Sequence, residues 1–155
     1  MRVLLKSAKL VAVLFALSWA GFAIYLGSIS NYTRLLIEDA VVVVNSPVSK
    51  SAAVYMVIHN NTDSDDRLMQ VHTDIARVAG LHREVVEPNG TSKLQVLPSG
   101  LEIQSGGQAE LKRGGDRILL KGLKHYLSQG ENVTMVLNFE KAGELVIRAP
   151  VEIKN

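Results

Sequence analysis

The residue types of this sequence come nearest to offering soft-metal chemistry. Its four histidines, His59, His72, His82 and His125, each carry an imidazole that could bind copper or zinc. No two of them stand at a tight ligand spacing. His59 ends an alternating run at a turn and His125 lies in a Gly-Leu-Lys-His-Tyr-Leu stretch, both suited to surface hydrogen bonding, whereas His72 and His82 flank a strand connection and could converge. Asp63, Asp65 and Asp66 could gather a hard cation, but no Gly and distal Glu complete a calcium loop, so a solvated turn is expected. Cysteine is absent, which removes disulfides, thiolate zinc sites and cysteine nucleophiles. There is no Gly-rich phosphate loop followed by Lys-Ser/Thr, no nucleophile elbow and no H-E-x-x-H pair. An enzyme is therefore not expected, and no small-molecule substrate is evident. Asn-x-Thr sequons begin at Asn31, Asn60, Asn89 and Asn132 and matter only in a host that glycosylates them.

The elements that would position these residues fall into two parts. Leu10 to Ile29 is an uncharged apolar run, which as a helix would be roughly 30 Å long and match a bilayer core. Arg2, Lys6 and Lys9 precede it, and Glu38 and Asp39 lie beyond it, so the positive-inside bias places the N-terminus in the cytoplasm. The competing reading is a cleaved signal peptide, with Ser18 and Ala20 flanking the cleavage site, but the apolar run continues through Phe22, Ile24, Tyr25 and Leu26. Either reading exports the C-terminal part of the chain. The expected organisation is a cytoplasmic N-terminus over residues 1–9, a transmembrane signal anchor over 10–29, a neck over 30–35 and a β domain over 36–155. Of 17 Lys and Arg, the three before the apolar run leave 14 to set against 15 acids, so the domain is near neutral. With no basic stripe and few aromatics, nucleic acid is not an expected partner.

Beyond the neck, short apolar or alternating runs are separated by Gly, Pro, Asn and Asp, the pattern of strands and turns. The pattern predicts strands over Leu36 to Val44, Ala52 to Asn60, Arg67 to His72, Arg77 to Val86 and Lys93 to Leu97. Further strands are predicted over Gly107 to Leu111, Asp116 to Lys121, Asn132 to Lys141 and Glu144 to Ile153. Val133, Met135, Leu137 and Phe139 alternate with polar residues and are expected to face the core. Met56 and Met135 are likewise read as core. No long amphipathic helix is visible. Many short strands at this spacing imply an all-β, Greek-key two-sheet sandwich or barrel.

An ordered series of short motifs then resembles the periplasmic copper chaperone family PCu(A)C. It runs Asp39-Ala40, Ala52-Ala53-Val54-Tyr55-Met56, Asp65-Asp66-Arg67-Leu68, Leu81-His82, Gly100-Leu101-Glu102-Ile103 and Gly106-Gly107. It continues with Glu110-Leu111-Lys112, Gly114-Gly115, Gly122-Leu123-Lys124, Gly130-Glu131 and Phe139-Glu140-Lys141-Ala142-Gly143. The resemblance implies a cupredoxin-like Greek-key β-sandwich. It also implies a protein that binds Cu(I), in some members Cu(II), and helps load copper into membrane oxidases. The family's ligands are a His, a Met about eleven residues on, and a later His-x-Met pair.

Matched residue by residue, the first ligand survives as His82. The family Met falls on Leu94, allowing one extra residue in the Pro88-Asn89-Gly90 turn, and the His-x-Met falls on Arg117 and Leu119. Leucine keeps the apolar volume of methionine without the sulfur. Arginine stays protonated, donates no lone pair and repels a neighbouring cation. Met69, His72 and His125 remain as candidates for a rebuilt site around His82. The sequence thus favours a domain tethered to the membrane through residues 10–29, in the bacterial inner membrane and facing the periplasm. It would act by protein contact as an accessory or assembly subunit of a membrane complex, with a copper-containing respiratory oxidase as the candidate. No cofactor is then expected. The alternative is a copper chaperone that binds Cu(I) through His82 and non-standard ligands.

Overall fold

The computed structural model describes residues 35–154. The expected membrane span at 10–29, the residues 1–9 before it and neck residues 30–34 lie outside the described residues. Leu35, assigned above to the neck, opens the first strand and is buried. The domain has ten strands: β1 Leu35–Val44, β2 Ser51–Asn60, β3 Asp66–His72, β4 Ala76–Val86, β5 Ser92–Val96, β6 Leu101–Ile103, β7 Gln108–Leu111, β8 Asp116–Leu123, β9 Asn132–Phe139 and β10 Gly143–Ile153. None of the described residues forms a helix long and apolar enough to cross a membrane.

The strands make two sheets with the core between them. Sheet I has the order β5-β4-β8-β2-β1, and β7 takes the place of β8 along the second half of β2. Sheet II has the order β10-β9-β3-β6. Strand β10 belongs to both, because Gly143 to Pro150 pair antiparallel with β9 while Val151, Glu152 and Ile153 pair parallel with β1. The chain passes repeatedly from one sheet to the other, so most hydrogen-bonded neighbours are far apart in sequence, as the sandwich expectation required.

Alternation sets what is buried. In β2, Ala52, Val54, Met56 and Ile58 point inward, and in β9 Val133, Met135, Leu137 and Phe139 do the same. They meet Leu68, Ile103, Leu111, Ile118 and Leu120, each fully buried aliphatic side chain contributing about 1.5–3 kcal/mol. Asp39 takes a left-handed φ of 52° where β1 slips by one residue against β2, a bulge between Glu38 and Val41.

The acidic turn corrects the expectation of full solvation. Asp66 is buried, and its carboxylate accepts the backbone N–H groups of Arg67, Lys141 and Ala142 at 2.7, 2.9 and 2.9 Å, pinning the β9–β10 turn to β3. Asp65 accepts the N–H of Ser105 at 2.8 Å. Asn60 is also buried, donating to the carbonyls of Ser64 and Ile103 and accepting from Thr62. The folded chain closes that sequon off.

Candidate functional site

In an antiparallel pair, residues directly opposite one another project from the same face of the sheet. On β4, His82 stands opposite Arg117 of β8 and Val96 of β5, Gly80 opposite Leu119, and Glu84 opposite Leu94. The intervening Leu81 and Ile118 point into the core. His82, Leu94, Arg117 and Leu119 therefore share the outer face of sheet I, on three adjacent strands. The register brings together all four positions that the sequence comparison had singled out.

Their chemistry differs from one to the next. His82 is buried, and its ring folds back over Gly80, where an added Cβ would lie 3.4 Å from Cε1. Its Nδ1 lies 3.0 Å from the Gly80 carbonyl oxygen, so Nδ1–H donates and Nε2 carries the lone pair. Leu94 is half-exposed and Leu119 partly covered, neither offering a donor atom. The Arg117 side chain is only 13% exposed, and its Nη2 donates to Oε2 of Glu84, itself 22% exposed. The Nε–H of Arg117 is buried and, among the described residues, has no hydrogen-bond partner.

Glu84 is the residue that sequence reasoning missed. The signal was present, since Glu84 lies two residues beyond His82 on an alternating strand and so must share its face. What sequence alone could not supply was the β4–β8 register that sets Glu84 diagonally across from Arg117.

The donor set does not fit copper as the family holds it. His82, Leu94, Arg117 and Leu119 offer two alkyl groups, one guanidinium and a single imidazole nitrogen. Elsewhere, His59 pairs with Glu38 at 3.1 Å, His72 with Asp74 at 3.5 Å and His125 with Glu131 at 2.9 Å, each in a separate place. Met69 is exposed on β3, and Met56 and Met135 are buried in the core. Among the described residues, no three His, Cys, Asp or Glu side chains gather into a metal-holding group.

Beside the ion pair, a groove of about 480 Å³ runs over the outer face of β2 and β8. Val43, Ala53, Leu94 and Leu119 give it apolar walls, and Arg113 and Lys154 stand with Arg117 along it. A second groove of about 430 Å³ lies between β3 and β4, lined by Met69, His72 and Val96 among others.

The family model described as "Putative lipoprotein LpqE-like" matches residues 35–151. A protein of Leifsonia xyli subsp. xyli, named a "putative lipoprotein", is 30% identical over 92 residues, which are 59% of this chain. The match spans 55% of that relative, about half its length. Among solved structures, the copper-bound PCuAC domain from PmoF2 superposes with a TM-score of 0.64 at 24% identity, over 77% of this chain and 93% of that one, a likeness of fold. The apo PCuAC domain from PmoF1 gives 0.62 at 29% identity, over 77% and 94%. The Cu(I)-bound form of DR1885 from Deinococcus radiodurans gives 0.60 at 29% identity, over 77% and 78%.

Proposed function

Because the chain belongs to the LpqE-like family and has the fold of the PCuAC domains, we propose that it is a membrane-held, extracytoplasmic relative of the copper chaperones that works by protein contact. In this reading it is an accessory or assembly subunit of a membrane complex, with a copper-containing respiratory oxidase as the candidate. The observation that carries it is the Arg117–Glu84 pair on the outer face of sheet I. Where the family places a singly charged Cu(I) among neutral donors, this chain places a singly charged guanidinium beside a carboxylate. A copper ion there would find one imidazole to bind it.

The proposed membrane attachment also rests on chemistry in the sequence. A thioether-linked lipid requires a cysteine, and these 155 residues contain none. We assign retention to the uncharged segment Leu10 to Ile29, inserted with Arg2, Lys6 and Lys9 on the cytoplasmic side. A fixed span confines the domain beside membrane partners, which suits an assembly role better than a diffusing carrier.

The competing reading, a Cu(I) carrier built on His82, is favoured by the lone pair that the Gly80 hydrogen bond leaves on Nε2. A Cu(I) titration of the full chain against a competing chelator separates the two. The expected result is no binding that survives the competitor, together with co-purification of the chain with a membrane complex. The triple variant Leu94→Met/Arg117→His/Leu119→Met, which restores the family's donors, is expected to gain binding. Tight stoichiometric binding by the natural chain, lost in His82→Ala, would overturn the contact-only reading.

A further inference from the structure

The groove beside the ion pair is charged against the grain of its domain. Arg2, Lys6, Lys9 and Arg34 precede the first strand, while all 15 acids lie beyond its start, so the domain has two more acids than bases. Yet Arg113, Arg117 and Lys154 line this one groove, with Glu84 as the single acid among the described residues that line it. Glu84 is already committed to Arg117, so Arg113 and Lys154 are left as a local excess of positive charge.

Two further features narrow the ligand. Val43, Ala53, Leu94 and Leu119 give the groove apolar walls beside the cations. A volume of about 480 Å³ lies in the range of small-molecule sites. A planar carboxylate suits the exposed guanidinium of Arg113, and a short alkyl stem suits the apolar walls.

We infer that this groove binds a small carboxylate carried on a short apolar stem. The inference rests on the reading that Arg117, and not a metal, fills the former ligand position. It goes beyond that reading by giving the altered face a ligand chemistry of its own.

The test is a titration of the isotope-labelled full chain in a non-ionic detergent with butyrate, n-butylamine and inorganic phosphate, followed by backbone amide resonances. Butyrate is expected to shift the amides of β2, β8 and the Arg113 turn saturably, with weakening as salt is raised. The paired variant Arg113→Gln/Lys154→Gln, both sites exposed, is expected to keep the fold and lose about tenfold in affinity. Absence of saturable shifts with butyrate, or equal shifts with n-butylamine, would overturn the inference. Phosphate binding as well as butyrate would overturn the requirement for an apolar stem. Failure of butyrate to bind a chain that also ignores Cu(I) sinks this inference alone, whereas tight Cu(I) binding sinks the reading beneath it.

Discussion

Arg117 and Glu84 form a mostly buried ion pair on a sheet face, and such pairs are costly to break from one side only. Removing one partner strands the other charge in a poorly hydrated place, whereas replacing both with neutral groups can be close to neutral. Glu84→Gln is expected to cost about 2 kcal/mol, between the values for exposed and fully buried pairs. Glu84→Gln/Arg117→Leu should recover most of that loss. Urea denaturation of the two single variants and the double gives the coupling energy, and additive effects would show that the pair is not coupled. Much of this site was legible from the residues only through the family comparison, which marked His82, Leu94, Arg117 and Leu119 but said nothing of position 84. Spacing within one strand puts Glu84 on the face of His82. The cross-strand partner depends on register, which is set by the packing of Leu81, Ile118 and Leu120 on the other face of the sheet.

Among the elements, turns hold the strand ends where packing cannot. Gly90 and Gly100 both have positive φ, 81° and 77°, yet they differ in surroundings. A Cβ on Gly90 would meet nothing within 4 Å, while one on Gly100 would come 2.5 Å from the carbonyl oxygen of Leu68. Gly90→Ala should therefore cost about 1–2 kcal/mol for backbone conformation alone, and Gly100→Ala clearly more, as compared by thermal unfolding. Gly100 leads into β6, the strand that sequence periodicity missed. Leu101-Glu102-Ile103 is too short to display a period, and it becomes a strand because β3 pairs with it and the core takes Leu101 and Ile103. The other nine strands were legible to within about two residues, because each carries an alternating or apolar run bounded by Gly, Pro, Asn or Asp.

The β8–β9 connection is held by a titratable group. Glu131 accepts from His125 Nε2 at 2.9 Å and from the Ser128 N–H at 3.0 Å, and these bonds, the His125 bond foremost, hold its carboxyl below the ordinary carboxylate range. A carboxyl depressed in the folded state contributes stability above its unfolded pKa and loses it as the pH falls through the folded value. Thermal midpoints measured from neutral to acid pH should fall less steeply in Glu131→Gln than in the natural chain. An unchanged slope would show that the bond adds nothing.

Across the whole molecule, the sandwich was legible because strands alone account for the chain beyond the neck, and because both β2 and β9 alternate cleanly. The sharing of β10 between two sheets was not, because Pro150 at the change of partner marks an interruption of the ladder without saying which strand pairs beyond it. Val151 is fully buried, opposite Val42 in the β1 ladder. Removing residues 151–155 should cost at least about 3 kcal/mol in lost apolar burial and ladder hydrogen bonds. A circular dichroism melt of the shortened chain should lose its cooperative transition or shift strongly to lower temperature.

That same strand sets the order in which the molecule can be completed. A polypeptide emerges from its N-terminus, whether from a ribosome or through a translocation channel, so β1 arrives first and β10 last. Until Val151 to Ile153 appear, β1 has an open edge and the two sheets lack the strand that joins them. The domain can therefore gather its hairpins on the way out, but it closes only after Val151 to Ile153 are free. Emergence of Val151 to Ile153 is the step on which the finished fold waits.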